Sequence, residues 1–438
     1  MPLLIAALGI GLLLLLMIGL KFNAFLALII VAFLIGFAEG MPVDAVVKSI
    51  ENGVGSTLGS LALILGFGSM LGSLVAESGA AQQITYTLIR SFGEKHIQWA
   101  MVLTGFVVGI PLFYNAGFVL LIPIVFAIVA ATRLPSLYIG IPMAAALSVT
   151  HGYLPPHPGP SAIAVSYHAD MGLTLVYGLC VAIPAIIVAG PMLGIYLKRK
   201  PVAPLKDLFN FKQRPKSEMP GFAASLFTAL VPVVLMALSA LGGLFLPEDS
   251  KARIFFNLVG NPVIALLIAV LIAIITLGLQ RGKKMSEIMQ ILSDSIGGIA
   301  MILLTIAGGG ALKQVLVDSG VGKYIETIVS DSSFSPLFLA WSVAAILRVC
   351  LGSATVAAVS TAGIVLPLIA STSVSPELMV LATGAGSLMF SHVNDPGFWM
   401  FKEYFNLTIG QTLSSWSVME TIVSVFGLIG VLLLEMII

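Results

Sequence analysis

Residues 381–399 (LATGAGSLMFSHVNDPGFW) begin as an apolar helix pattern and collapse into Ser391, His392, Val393, Asn394, Asp395, Pro396 and Gly397. In a lipid setting, a helix breaker beside hydroxyl, imidazole, amide and carboxylate groups is tolerated only where it lines a cavity or is buried in protein. Residues 150–162 (THGYLPPHPGPSA) interrupt another apolar run in the same fashion, 241 residues earlier. The setting is membranous: 58% of the 438 residues are hydrophobic and 9% charged, against roughly 25% charged in a soluble domain. The apolar excess is gathered in runs long enough to span a bilayer, so the chain reads as an all-α polytopic membrane protein.

Residues 1–20 carry no basic leader region and run straight into a second apolar stretch, so they are expected to be a retained helix. Cys180 and Cys350 lie in apolar segments without metal-ligand or redox spacing and read as packing residues. No metal or cofactor is expected. Between residues 198 and 220 seven basic residues face only Asp207 and Glu218. This reads as a cytoplasmic loop obeying the positive-inside rule rather than a nucleic-acid surface.

The text on the two sides of that linker repeats at an offset of about 242 residues. Glu77-Ser78-Gly79 answers Asp318-Ser319-Gly320, Trp99 answers Trp341, Asn115-Ala116-Gly117 answers Thr361-Ala362-Gly363, and Thr150-His151 answers Ser391-His392. The expected organisation is a first repeat over 1–197, a basic cytoplasmic linker over 198–221 and a second repeat over 222–438. Each half holds seven apolar segments. The fourth and fifth meet at polar, Gly-rich tips and are expected to form a re-entrant hairpin; the sixth is a broken helix. Five crossings per half remain, an odd number, which turns the second half upside down and makes the repeats inverted. The basic loops then fall on one face and the acidic ones on the other.

Four polar interruptions are the candidate site: hairpin tips at 109–117 and 352–363, and the breaks at 150–162 and 391–397. Unwound backbone aims half-helix dipoles inward, and their N-terminal ends suit an anion. Thr150, Ser353, Thr355, Ser360, Thr361 and Ser391 offer hydroxyls for a polyol or carboxylate, although each alone also fits an intrahelical back-bond. Arg348 is the natural bidentate partner of a carboxylate and stays charged. His392 and Asp395 are the candidates for proton coupling, with His151 and His157 as partial counterparts. Asn394 is expected to read substrate or cap a half-helix. Glu420, a lone carboxylate in an apolar run, reads as mainly structural, with a proton role as the alternative.

The blocks SVTHGYLPPHPGPSAIA, ILRVCLGSATVAA, GGGALKQVLVDSGVGKYI and SHVNDPGFWMFKEYFNLTIGQT resemble the gluconate permease family of gluconate:proton symporters, and the likeness covers the whole chain. The resemblance implies a bacterial inner-membrane carrier for gluconate or a related sugar acid, driven by protons. It also implies the ion transporter superfamily architecture, in which a dimer moves transport domains by an elevator motion. One position departs: the family more often has an acidic residue where this chain has Asn115. On this reading the substrate site comprises Asn115, Thr150, His151, Arg348, Ser353, Thr355, Thr361, Ser391 and Asn394. The partners are a small anion, protons, membrane lipid and a second copy. Alternatives are the same carrier moving another small hydroxy acid, a ketogluconate or a D-amino acid, or a passive anion channel. An intramembrane enzyme is disfavoured, since neither an HExxH nor a GxGD motif is present.

Overall fold

The computed structural model describes the chain except for residues 1–4, 6, 7, 10, 14, 200–214, 248, 321–334, 372, 373 and 394. Most of the basic linker and residues 321–334 of the connection into the helix that begins at Pro336 therefore lie outside the described residues. Among the described residues the structure is helical, with no strand.

The first half runs through α1 (Ala24–Ala38), α2 (Val43–Glu77), α3 (Ala80–Phe92), α4 (Ile97–Gly109), α5 (Tyr114–Thr132), α6 (Ser136–Tyr153), α7 (Pro158–Tyr167) and α8 (Met171–Leu197). The second holds α9 (Phe222–Phe245), α10 (Lys251–Gly260), α11 (Pro262–Arg281) and α12 (Met285–Asp318), then α13 (Pro336–Leu351) and α14 (Ala354–Ser371). It ends with α15 (Pro376–Gly386), α16 (Pro396–Tyr404) and α17 (Ile409–Glu435). Among the described residues six spans are long and apolar enough to cross a membrane, α6 with α7 counted as one, α8, α9, α11, α12 and α17, or seven if the bent α2 is counted as one span. The arms of the hairpins are shorter apolar helices, so length alone does not mark them as crossings. The chain is a multi-pass membrane protein.

The helix starts follow from local chemistry. Pro158, Pro262, Pro336, Pro376 and Pro396 each stand in the first turn of their helix. There the missing N–H would have had no partner and the fixed φ is already helical. Asp170 and Asp395 cap α8 and α16 by accepting from Leu173 N at 2.7 Å and Gly397 N at 2.8 Å. Gly352, at φ +73°, ends α13 in the left-handed region and lets the chain reverse into α14. The result is two tight hairpins, α4–α5 and α13–α14, and two interrupted helices, α6–α7 broken at 154–157 and α15–α16 broken at 387–395.

The long helices α2 and α12 cross at the centre. A Cβ on Gly53 would stand 2.4 Å from the Gly310 carbonyl oxygen, so no side chain fits there. Further along α2 the Ser69 hydroxyl donates to the Ser295 carbonyl at 2.9 Å. As residue number rises along α2 it falls along α12, so the two run antiparallel. Against this pair lie the hairpins and broken helices, whose α6 is buried over nearly its whole length. Close approach again depends on glycine: a Cβ on Gly109 of α4 would meet the Thr150 hydroxyl of α6 at 2.4 Å.

Candidate functional site

The two hairpin tips, the α15–α16 break and the last turns of α6 before its break converge on one cavity of about 320 Å³, at the lower end of the ~300–1,000 Å³ range of small-molecule pockets. The first hairpin contributes Phe113, Tyr114 and Asn115; the second contributes Gly352, Ser353, Ala354, Thr355 and Val356. From α6 come Ser148 and His151, from the α15–α16 break Leu388, Asp395, Pro396 and Gly397, from α17 Trp416 and Glu420. The long helix α12 closes the remaining side with Met301, Ile302 and Thr305. Three helices begin at this cavity: α5 at Tyr114, α14 at Ala354 and α16 at Pro396. Their N-terminal ends bring partial positive charge to one place.

Arg348 is the charged centre. It is only 3% exposed, and its Nη2 is paired with Asp395. Its Nε and Nη1 are buried without a hydrogen-bond partner. A guanidinium in that position has donors in reserve, and leaving them unmatched is costly unless a ligand completes the set. Tyr114 Oη, His151 Nδ1 and Glu420 Oε2 are likewise buried without a partner, and all three residues line the same cavity.

Asp395 is by contrast fully engaged. One oxygen accepts from Arg348 and from the Ser391 hydroxyl, and the other accepts from Gly397 N. Ser391 in turn accepts from Trp416 Nε1 at 2.8 Å, while the Ser417 hydroxyl donates to the Ser391 carbonyl. Trp416 and Ser417 belong to a π-turn over Leu413–Ser417 at the start of α17. The extra residue of such a turn reorients side chains and is frequent at functional sites. The chain Trp416, Ser391, Asp395, Arg348 thus fixes the guanidinium from behind.

Of the residues singled out in the sequence, Asn115, His151, Arg348, Ser353, Thr355, Asp395 and Glu420 line the cavity. Ser391 stands behind it, as the support of Asp395. Thr150 and Thr361 are buried and spend their hydroxyls on the Leu147 and Ala357 carbonyls, at 2.9 and 2.7 Å. His392 donates from Nε2 to the Val349 carbonyl at 2.9 Å and stands outside the lining, where it ties the break to α13. His157 donates to the Gly109 carbonyl at 2.8 Å, with its ring 5.4 Å from that of His151. Asn394 lies outside the described residues. Ser148, Tyr114 and Trp416 line the site without having drawn notice in the sequence. Ser148 sits three residues before His151 on one helix face, which is the signal that could have found it.

A second cavity of about 670 Å³ adjoins the first and is lined by Ser69, Gly72, Glu77, Asp294 and Ser295 of α2 and α12. Phe113, Asn115 and Ile302 line both cavities and form the partition between them.

A family model described as GntP family permease matches residues 1–437. The chain is 59% identical over 440 residues to a high-affinity gluconate transporter of Escherichia coli K12, with 100% of each chain covered. It is 58% identical over 432 residues to the Gnt-II system L-idonate transporter of the same organism, covering 99% of this chain and 98% of that one. Among solved structures it resembles the YdaH transporter of Alcanivorax borkumensis, with a TM-score of 0.69 at 16% identity over 94% of this chain and 97% of the other. At that identity the likeness speaks for the fold alone.

Proposed function

Since the chain belongs to the GntP family of permeases, and is therefore a carrier and not an enzyme, we propose that it imports gluconate or a closely related sugar acid across the bacterial inner membrane by proton symport. The observation that carries this reading is the buried Arg348 with two uncommitted nitrogen donors, on the wall of a cavity sized for one small acid. Arg348 would take the carboxylate in a two-pronged hydrogen bond. The N-terminal ends of α5, α14 and α16 add to the positive potential. Asn115, Ser353, Thr355 and Thr305 would receive the polyol chain, and His151 and Tyr114 hold further unspent polar atoms for it. Two similar chains are named for gluconate and L-idonate, six-carbon aldonates that differ in configuration at one carbon. Recognition through the shared carboxylate suits both.

The proposal extends to how the cavity moves. The order of long helix, hairpin and broken helix (α2, α4–α5, α6–α7; α12, α13–α14, α15–α16) recurs in both halves. The Gly53–Gly310 and Ser69–Ser295 contacts exchange with one another under an offset of about 242 residues, which supports two inverted repeats, 1–197 and 222–438, related by a pseudo-twofold axis. Hairpins, broken helices and α17 supply all walls but one, and α12 supplies the last. An elevator motion would slide the former past the latter. Asp395 would couple to substrate through Arg348, whose pairing a second carboxylate would share, while His392 is bonded to the Val349 carbonyl and has no such link. The resemblance adds a homodimer, which a mass measurement in detergent tests.

Uptake of labelled gluconate into proteoliposomes under an imposed pH gradient, alkaline inside, tests the function. Accumulation above the equilibrium set by gluconate's own electrochemical potential, collapsed by a protonophore, is expected. Entry that stops at that equilibrium would make the protein a passive anion channel and refute the symport reading.

A further inference from the structure

Two carboxyl groups line the cavity, and they are built differently. Asp395 receives three donors, from Arg348, Ser391 and Gly397 N, which is the environment of a standing carboxylate. Glu420 is 2% exposed on α17 and receives one, the Ser148 hydroxyl at 2.6 Å to Oε1. Its Oε2 is buried without a partner. An ionised carboxylate offers about four acceptor sites and is expensive to bury half-satisfied, whereas a neutral acid needs less and has an O–H to give.

We propose that Glu420 holds the transported proton, as a neutral acid whenever the cavity holds its anion. This rests on the proton-symport reading above and assigns the residue that performs it. The reasoning is charge balance in a closed site. Arg348 and Asp395 cancel. With Glu420 neutral, an arriving carboxylate meets a cavity of no net charge and two free guanidinium donors. With Glu420 ionised, it meets a second anion facing the same arginine. Binding of the substrate anion therefore demands the proton on Glu420, one for one. In that state the Oε2–H can donate to a substrate oxygen. When the cavity opens inward and the substrate leaves, the O–H bond breaks, its electron pair stays on Oε2 and the proton passes to water, leaving the carboxylate opposite Arg348. The other titratable groups facing Glu420 are His151 and Tyr153 of α6 and Tyr114 of α5. Tyr153 is committed as a donor to the Val423 carbonyl on Glu420's own helix. Asp395, His151 and Tyr114 are the competing carriers that the experiment must separate from it.

The test is gluconate binding to the purified full-length protein in weakly buffered detergent solution, with proton uptake read by a pH dye. Above a midpoint pH the native protein is expected to take up one proton per gluconate bound and to lose affinity about tenfold per pH unit, and below it to do neither, as linkage to a single site requires. Glu420→Gln is expected to bind without proton uptake and without that pH dependence. In proteoliposomes it should still exchange gluconate across the membrane while failing to accumulate it under a pH gradient. Proton uptake that persists in Glu420→Gln overturns the assignment and leaves symport standing, with Asp395, His151 or Tyr114 as the carrier. Absence of both proton uptake and the affinity loss in the native protein across the alkaline range, where the unliganded Glu420 would be ionised, refutes symport and the assignment together. If Glu420→Gln does not fold, Ser148→Ala decides: it must displace the midpoint of the native pH dependence, and an unmoved midpoint overturns the proposal.

Discussion

Arg348→Lys probes the carboxylate reading without stripping Asp395 of its counter-ion. In the native chain Nη2 is committed to Asp395, and Nε and Nη1 are held in reserve. A lysine retains the charge but brings a single ammonium, which Asp395 would claim, so both reserve donors vanish. A net hydrogen bond to a charged group is worth about 1.5 kcal/mol at the low end, and two make about 3 kcal/mol, or roughly a hundredfold in Kd. Isothermal titration of purified protein with gluconate and with gluconamide measures it. The amide has the same hydroxyls and no carboxylate. The native protein should prefer gluconate strongly, and the variant should lose affinity for gluconate while its binding of gluconamide changes little. A Kd for gluconate within about threefold of native, or an equal loss for both ligands, would show that Arg348 does not read the carboxylate. Arg348→Ala should abolish uptake altogether, with protein still recovered from the membrane.

Three other substitutions test the packing and the charge of the site. Gly109→Ala places a methyl 2.4 Å from the Thr150 hydroxyl and should destabilise by about 1–3 kcal/mol through overpacking; adding Thr150→Ala should restore most of it in thermal unfolding followed in detergent. Gly310→Ala aims its methyl at the Thr57 hydroxyl at 2.1 Å and the Gly53 carbonyl at 2.6 Å, and since backbone cannot be trimmed, Thr57→Ala should fail to rescue it in the same assay. Asn115→Glu adds an anion at a site for an anion, so gluconate affinity should fall at neutral pH and recover as the new carboxyl protonates in acid, a pH dependence absent from Asn115→Gln.

Helical class, membrane setting and the meeting of four interruptions were legible because each depends on local rules. Long apolar runs have one backbone solution in lipid, and Pro and Gly mark where it fails. The hairpin tips and breaks were therefore found at 109–117, 150–162, 352–363 and 391–397. Which side chain of each interruption faces inward was not legible, because that depends on helix rotation. Thr150 and His151 are adjacent in sequence, yet one is spent on its own helix and the other lines the cavity. His392 and Asp395 diverge in the same way within one break: Asp395 caps α16 and reaches Arg348, while His392 turns to the Val349 carbonyl. Trp416 was hidden for a different reason, whereas Glu420 stood out as a lone carboxylate and only its partners were illegible. Apolar periodicity in the last segment reads as a plain lipid-facing helix, and only the π-turn at Leu413–Ser417 brings the indole to Ser391.

The charged groups of the cavity all come from the second half. Under the proposed duplication, the positions that answer Arg348, Asp395 and Glu420 in the first half fall at or near Phe106, Leu154 and Ala182, none of them ionisable. The first half supplies Tyr114, Asn115, Ser148 and His151 instead. Two copies that arrive at one cavity have only one anion to hold between them. Repeating the arginine would leave an unmatched buried cation, and repeating the carboxylates would expel the substrate, each at a cost of several kcal/mol in a low-dielectric setting. Backbone breaks can be duplicated because freed amides and carbonyls at helix ends are neutral and useful from either side. Charge cannot, and the one-sided charge fixes which end of the cavity receives the carboxylate.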